Sequence, residues 1–256
     1  MNFIFDIDGT ICFKGEPVSQ PIQDALFKLR EQGHVVGFAS ARPCRDMLPV
    51  LNKQLHDCLM IGANGAMTYY KHELVQLHSI PPSILEELIS ISGAYKASYL
   101  IDLAWDYHYT GDQNHPFLAK VDPEGRAASV NLTPETKAAK FLVTSCTEPA
   151  ALHQALTALP ISIHHHSDEE IVDITAEGVD KMAALRQFGI EEGQFICFGN
   201  DTNDLPMFLH AAYSVMIGDH PELHKLASAQ INIGSNIENQ IVTMLSELST
   251  QAAISP

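Results

Sequence analysis

The chain has 256 residues, 46% of them hydrophobic and 18% charged, with a formal net charge of −16. Acidity of that order repels nucleic-acid backbones and anionic lipid, so neither is expected as a partner. No apolar run is long enough to span a bilayer, no basic n-region precedes the first apolar residues, and the five cysteines lack a CxxC pair, which reads as a cytoplasmic protein with reduced thiols.

Residues 2–6 form a short apolar run ending in Asp6-Ile7-Asp8-Gly9, the pattern of a buried strand entering a loop. Pro21 opens a helix on which Ile22, Ala25, Leu26 and Leu29 share one face, and Gly33 closes it. Residues 34–39 (HVVGFA) read as a strand, 43–54 as a helix, and 58–61 as a third strand running into Gly62-Ala63-Asn64-Gly65-Ala66. Strands and helices alternating at this pitch predict a doubly wound parallel sheet.

The texture then changes. Pro81-Pro82 breaks the pattern, and Ser83 with Glu86 predicts a capping box for a helix to residue 91. An aromatic-rich stretch follows at 95–109 and a polar, turn-rich one at 111–125. Residues 140–146 read as a strand and 148–159 as a helix. Two further strands, 161–166 and 170–175, turn at Ser167-Asp168. From Gly178 the alternation returns, with a helix at 179–188, a strand at 194–198, a helix at 205–211, a strand at 213–217 and a last helix at 236–248. The expected fold is α/β: a doubly wound parallel-sheet core from residues 1–79 and 176–256, interrupted by an α+β insert at 80–175.

Ligands of open parallel sheets collect beyond the carboxyl ends of the strands. Four polar clusters fall at such ends or at the helix starts after them: Asp6-Ile7-Asp8-Gly9-Thr10, Ser40-Ala41-Arg42, Gly178-Val179-Asp180-Lys181, and Gly199-Asn200-Asp201-Thr202-Asn203-Asp204. A strand-end carboxylate can act as a nucleophile that splits ester hydrolysis into two displacements. A second carboxylate two residues on reaches the same centre as acid and base.

These clusters, in this order, resemble the four motifs of the haloacid dehalogenase superfamily. DIDGT resembles the first motif, Ser40 the second, Lys181 the third and GNDTND the fourth. The large insert between the second and third marks the class II cap arrangement. Gly178 to Lys181 and Asn64 to Ala66 resemble segments of the Cof-type phosphatases within that class. The resemblance implies a Mg2+-dependent phosphatase acting on a small phosphorylated metabolite through an aspartyl-phosphate. It implies Asp6 as nucleophile, Asp8 as acid and base, and Ser40 and Lys181 on the phosphoryl oxygens. Gly9, Thr10, Ala41, Arg42, Asn64 and Asn203 complete the candidate phosphate and substrate set. Asp6, the Asp8 carbonyl and the fourth motif would hold the metal. Where the family has Asp after the motif-four glycine, this chain has Asn200, an uncharged oxygen donor. Asp204 keeps the second acidic position, and either Asn200 or the adjacent Asp201 completes the set.

Two rivals accompany this reading: a phosphomutase of the phosphomannomutase type, and a binder that holds a phosphometabolite without turnover. Tyr95, Tyr99, Trp105, Tyr107 and Tyr109 are expected to pack the insert. Polar groups at 106–114 and 164–170 are the candidates for specificity. His164 and His166 share one strand face, which reads as a solvated or interface strand before a metal site.

Overall fold

The computed structural model describes residues 1–112, 114, 118, 121–165 and 172–252. In chain order the first elements are β1 (Asn2–Phe5), α1 (Gln20–Glu31), β2 (Val35–Ala39), α2 (Cys44–Met47), β3 (Leu59–Gly62), β4 (Met67–Tyr70), β5 (Glu73–Leu77) and α3 (Pro82–Ala94). There follow β6 (Ser98–Asp102), β7 (Tyr107–Tyr109), β8 (Lys140–Ser145), α4 (Pro149–Leu156), β9 (Ile161–His165) and β10 (Val172–Ala176). The last are α5 (Lys181–Phe188), β11 (Phe195–Gly199), α6 (Leu205–His210), β12 (Tyr213–Ile217), β13 (Ala229–Ile231) and α7 (Ile237–Ala252).

The first sheet runs β13-β12-β11-β1-β2-β3-β4-β5. β1 pairs in parallel with both β2 and β11, so the strand order reverses at β1. That reversal opens a crevice beyond the carboxyl ends of β1, β2 and β11. Phe3, Ile4 and Phe5 are all fully buried, because helices cover both faces. Phe3, Phe5, Phe38 and Phe198 face Ile22 and Leu26 of α1 and Ile241 and Leu245 of α7. Ile4, Ile61 and Cys197 face Leu185 of α5 and Met207 of α6.

The second sheet, β7-β6-β8-β10-β9, is antiparallel throughout. Its strands alternate: Ile101, Phe141, Val143 and Ile174 pack against Leu85 and Leu88 of α3 and Leu152 and Leu156 of α4. The intervening positions Asp102, Lys140 and Asp173 are buried charges on the opposite face.

Several local expectations change. The helix expected at 43–54 is one turn, α2, followed by 3-10 turns at 48–50 and 53–55. Pro49 has no N–H to continue the helix bonding, and the chain leaves the helical region at Leu51, which is extended. The Ser83–Glu86 capping box does not form. α3 starts at Pro82 with Pro81 extended before it and no side-chain cap, because proline is preset for the first helical position. Beyond the third strand the parallel sheet gains an antiparallel hairpin, β4–β5. Its turn is Lys71-His72, both left-handed at φ 52 and 67, where a sequence reader looks for Asn-Gly. β6 and β7 occupy the aromatic stretch, and Tyr99 stacks on Phe141 at 4.6 Å between ring centroids. His166, the Ser167-Asp168 turn and the start of the strand expected at 170 lie outside the described residues. All five cysteines are free. Among the described residues no helix is long and apolar enough to cross a membrane.

The two sheets meet across buried charge. Arg45 of α2 donates to Asp102 Oδ1 at 2.5 Å and to the Trp105 carbonyl at 2.8 Å. Beside it, Asp46 accepts the Asp122 N–H at 3.0 Å. Burial pushes the Asp46 carboxyl up to about 6, with Arg45 opposing and Asp102 adding to the rise. An acid whose folded pKa lies above its unfolded value contributes stability at low pH and loses it as pH rises through the folded pKa. Asp46→Asn keeps an oxygen for the Asp122 N–H and removes that titration. Urea unfolding at intervals from pH 4 to 7 should therefore show the variant gaining on wild type as pH rises, by ~1.4 kcal/mol per unit of pKa displacement. A stability difference flat across that window would show that Asp46 does not titrate there.

Candidate active site

Asp6 follows β1 directly and is tied to the sheet through its backbone, its N–H donating to the Phe198 carbonyl at 2.9 Å. Its carboxylate points into the crevice, and the residue is 5% exposed. Thr10 Oγ1 donates to Asp6 Oδ2 at 2.9 Å, closing the loop. Gly9 turns that loop at φ +76, where a side chain is strained, and a Cβ there would lie 2.4 Å from the Asn200 amide.

Lys181 arrives from the far end of the chain. Asp180 caps α5 by accepting the Ala183 N–H at 2.7 Å, so Lys181 stands at the first helical position. Gly65 permits this approach: a Cβ there would meet the Asp180 carbonyl at 2.2 Å. The Lys181 ammonium bridges Asp6 Oδ1 at 2.8 Å and Asp204 Oδ1 at 2.6 Å. Burial works against its charge, but Asp204 and Asp6 outweigh that and raise its pKa. Burial also pushes the Asp6 carboxyl upward, Lys181 pulls it back, and Asp204 adds to the rise. One ammonium between two carboxylates leaves the trio one negative charge whenever Asp6 is ionised, the form that a further cation would favour.

Asp204 is wholly buried and fully engaged. Its other oxygen accepts the N–H groups of Asn200 at 2.9 Å and Asp201 at 3.2 Å. The Asp201 carboxylate turns away to the Thr202 N–H at 2.7 Å and lies 3.8 Å from His220. Asn200 points inward. With its amide nitrogen toward the crevice it donates to the Asp8 carbonyl at 2.9 Å, to Asp6 Oδ2 at 3.0 Å and to Thr10 Oγ1 at 3.0 Å.

Ser40, 1% exposed, follows β2 and accepts the Arg42 N–H at 3.1 Å, which leaves its hydroxyl hydrogen to donate. Arg42 grips Asp8 through two bonds of 2.6 Å. That pair is solvent-facing, at 27% and 49% side-chain exposure, so it contributes little and parts easily. Asn64 follows β3 in the left-handed region, φ 56, which Asn tolerates. Its N–H bonds the Ser40 carbonyl at 3.0 Å, and its side-chain oxygen accepts from Asn203 at 3.0 Å. All four sequence clusters thus reach one crevice. Within it Asp6, the Asp8 carbonyl, Asn200, Ser40, Lys181 and Asp204 come together, and the Asp201 side chain does not.

The oxygens that meet at the Asn200 amide answer whether Mg2+ suits the site. Asp6 Oδ2 and the Asp8 carbonyl converge on one point, with an amide able to present its own oxygen there. An oxygen-only set with one carboxylate suits Mg2+, which keeps several waters. Among the described residues no group of three or more His, Cys, Asp or Glu side chains is arranged to hold a metal ion, so the set depends on that carbonyl and on Asn200. His164 of β9 bonds Thr175 Oγ1 at 2.9 Å instead.

Residues that sequence reading passed over adjoin the crevice. Lys140, from the second sheet, donates to the Ala41 carbonyl at 3.1 Å, and Asp173 accepts from Asn64 at 3.3 Å. The available signal was a charge inside each of two apolar strands, KFLV and VDIT.

Removing Lys181 would leave Asp6 and Asp204 buried without their shared cation. Lys181→Met should cost about 3–5 kcal/mol of stability near neutral pH. The loss should shrink at pH 5, where protonation relieves carboxyls whose pKa the substitution raises. Urea denaturation at both pH values checks this; an equal loss at each would mean that the carboxylates do not feel the missing charge.

The chain is similar to known proteins along most of its length. The haloacid dehalogenase-like hydrolase family matches residues 3–245. An HMP-PP phosphatase of Cronobacter sakazakii is 24% identical over 230 residues, 84% of this chain and 83% of that protein. The 5-amino-6-(5-phospho-D-ribitylamino)uracil phosphatase YitU of Bacillus subtilis is 20% identical over 257 residues, 94% and 95% of the two chains. A haloacid dehalogenase-like hydrolase from Bacteroides thetaiotaomicron superposes with a TM-score of 0.79 at 18% identity, covering 96% of this chain and 98% of that one.

Proposed function

The chain belongs to the haloacid dehalogenase-like hydrolase family, and we propose that it is a phosphatase that hydrolyses a small phosphomonoester through an aspartyl-phosphate at Asp6. The observation that carries this reading is the Lys181 ammonium held between Asp6 and Asp204 at 2.8 and 2.6 Å, at the switch point of the sheet. That arrangement gives an anionic nucleophile and an anionic substrate a common fixed cation, the main requirement of phosphoryl transfer. The phosphatase names of the relatives support a small phosphorylated metabolite as substrate.

In the proposed sequence Asp6 attacks phosphorus, the bond to the leaving oxygen breaks, and Asp8 protonates that oxygen. Asp8 then takes a proton from water as the water attacks the aspartyl-phosphate, which releases phosphate and regenerates Asp6. Arg42 bears on the timing. An entering phosphoryl group offers its guanidinium a second anion, and the exposed Asp8 pair parts at little cost. Ser40 donates to a phosphoryl oxygen and Lys181 neutralises another. Bound Mg2+ would supply charge neutralisation between carboxylate and phosphoryl oxygens. Asp6 Oδ2, the Asp8 carbonyl and the Asn200 side-chain oxygen would hold it, with Asp204 fixing the loop behind them. Residues 1–79 and 176–256 act as the catalytic core in this reading. The insert at 80–175 acts as the cap that excludes water and contacts the leaving group.

Phosphate release from a panel of phosphorylated metabolites, with and without Mg2+, tests the proposal. Wild-type protein should release phosphate from at least one compound in a metal-dependent way, and Asp6→Asn should reduce the rate by at least about a thousandfold while remaining folded. Turnover by folded Asp6→Asn at the wild-type rate would remove Asp6 as nucleophile, and a positional isomer in place of free phosphate would make the protein a mutase. Asn200→Asp tests the metal set by binding alone. The added carboxylate should lower the melting temperature without cation and enlarge the rise on adding Mg2+. Identical Mg2+ titrations of the two proteins would exclude that side chain as a ligand.

A further inference from the structure

The face of the second sheet left uncovered by α3 and α4 is turned onto the loops of the first sheet. Asp102, Lys140 and Asp173 on this face are all at most 5% exposed. Charges buried so deeply need partners, and an apolar face would cost less, so the pairing is informative. The partners are not confined to the sheet. Lys140 Nζ lies 3.6 Å from Asp102 and 3.5 Å from Asp173, but its 3.1 Å bond goes to the carbonyl of Ala41, between Ser40 and Arg42. Asp102 takes Arg45 from the same side. Asp173 Oδ2 reaches Asn64 Nδ2 at 3.3 Å, and Asn64 Oδ1 accepts from Asn203 Nδ2 at 3.0 Å. Asn203 immediately precedes Asp204, the residue that holds Lys181.

An Asn side chain has a donor end and an acceptor end, and only its surroundings decide which faces where. An ionised carboxylate accepts and cannot donate. Asp173 therefore turns the nitrogen of Asn64 toward the second sheet, which turns its oxygen toward Asn203. The Asn64 backbone is held in the left-handed region between β3 and β4, so the side chain has little freedom to respond in any other way.

We propose that Asp173 is a positioning residue: it orients Asn64, and through it Asn203, so that the loop carrying Asp204 is in register only when the second sheet is seated on the core loops, with Lys140 clamping the same seat at Ala41. The proposal rests on the phosphatase reading for its consequence in turnover but not for its structural content. It makes the seat of the insert a condition for an assembled site, which is a different role from contacting substrate.

The test pairs kinetics with a readout independent of activity. Asp173→Leu is close in shape, removes the Oδ2 that accepts from both Asn64 and Lys140, and leaves Lys140 paired with Asp102; Asp173→Ala serves if that variant does not fold. With para-nitrophenyl phosphate and Mg2+, kcat should fall roughly ten- to hundredfold with a smaller change in KM. In the Asn203→Ala background the same substitution should cost no more than about twofold, because the two act through one contact. Hydrogen exchange without substrate should quicken in peptides covering residues 199–205 and 63–66 of Asp173→Leu. Losses that multiply in the double variant, or exchange in those peptides unchanged from wild type, would overturn the proposal. If wild-type protein hydrolyses nothing, the phosphatase reading fails, and the exchange comparison still decides whether Asp173 holds the loop.

Discussion

The structure turns on one ammonium group shared by two buried carboxylates. Lys181 is 175 residues from Asp6 in the chain and meets it only because β1 and the start of α5 converge on the switch point. Each partner makes the others tolerable. Asp204 without Lys181 would be an uncompensated buried anion, and Lys181 without its acids an uncompensated buried cation. Asp204 spends its second oxygen on two loop N–H groups, so the same residue that steadies the cation also shapes the fourth motif. The remaining negative charge of the trio sits beside the point where Asp6, the Asp8 carbonyl and Asn200 converge. That surplus is a property of the folded protein, and it is what a cationic ligand of this site would answer.

A second set of buried charges joins the two sheets, and it is built differently. The first set is compact and aimed at one crevice. The second runs in a chain from Arg45 through Asp102 and Lys140 to Asp173 and then into the amides of Asn64 and Asn203. Its cost is high for a surface that apolar side chains could fill, and its direction is specific: the links that leave the second sheet, to Arg45, Ala41 and Asn64, all reach segments that follow a strand of the first. An ionic seat also discriminates geometry more sharply than an apolar one, because displacement by an ångström or two leaves a charge buried without its partner. The sheets therefore meet in one register or pay a large penalty.

Much of the site was legible along the chain because its parts are local. DIDGT, Ser40, Lys181 and GNDTND each sit where an apolar run ends, and a carboxylate after a buried strand is readable without knowing its neighbours. The alternation of strands and helices on either side was readable for the same reason. The hairpin β4–β5 escaped because Lys71-His72 adopts left-handed angles that neither residue advertises. The helix expected across 43–54 was cut by Pro49, and the Ser83–Glu86 cap was pre-empted by Pro82. In those places a strong local rule was overridden by a stronger one a residue or two away.

By itself, the sequence determined the α/β class, the four strand-end clusters and the residue types available for phosphoryl chemistry, since each depends on neighbours within a turn or a strand. Only the tertiary structure decided how those residues divide the work. Asp201 and Asn200 are adjacent in the chain, yet one carboxylate caps a turn and the other side chain faces Asp6, because Asp204 fixes the backbone between them. Lys140 and Asp173 look like stray charges in apolar strands until the sheet is laid against the core. Their role arises from contacts that span 33 to 109 residues, and pattern within a strand carries no information about what lies across an interface.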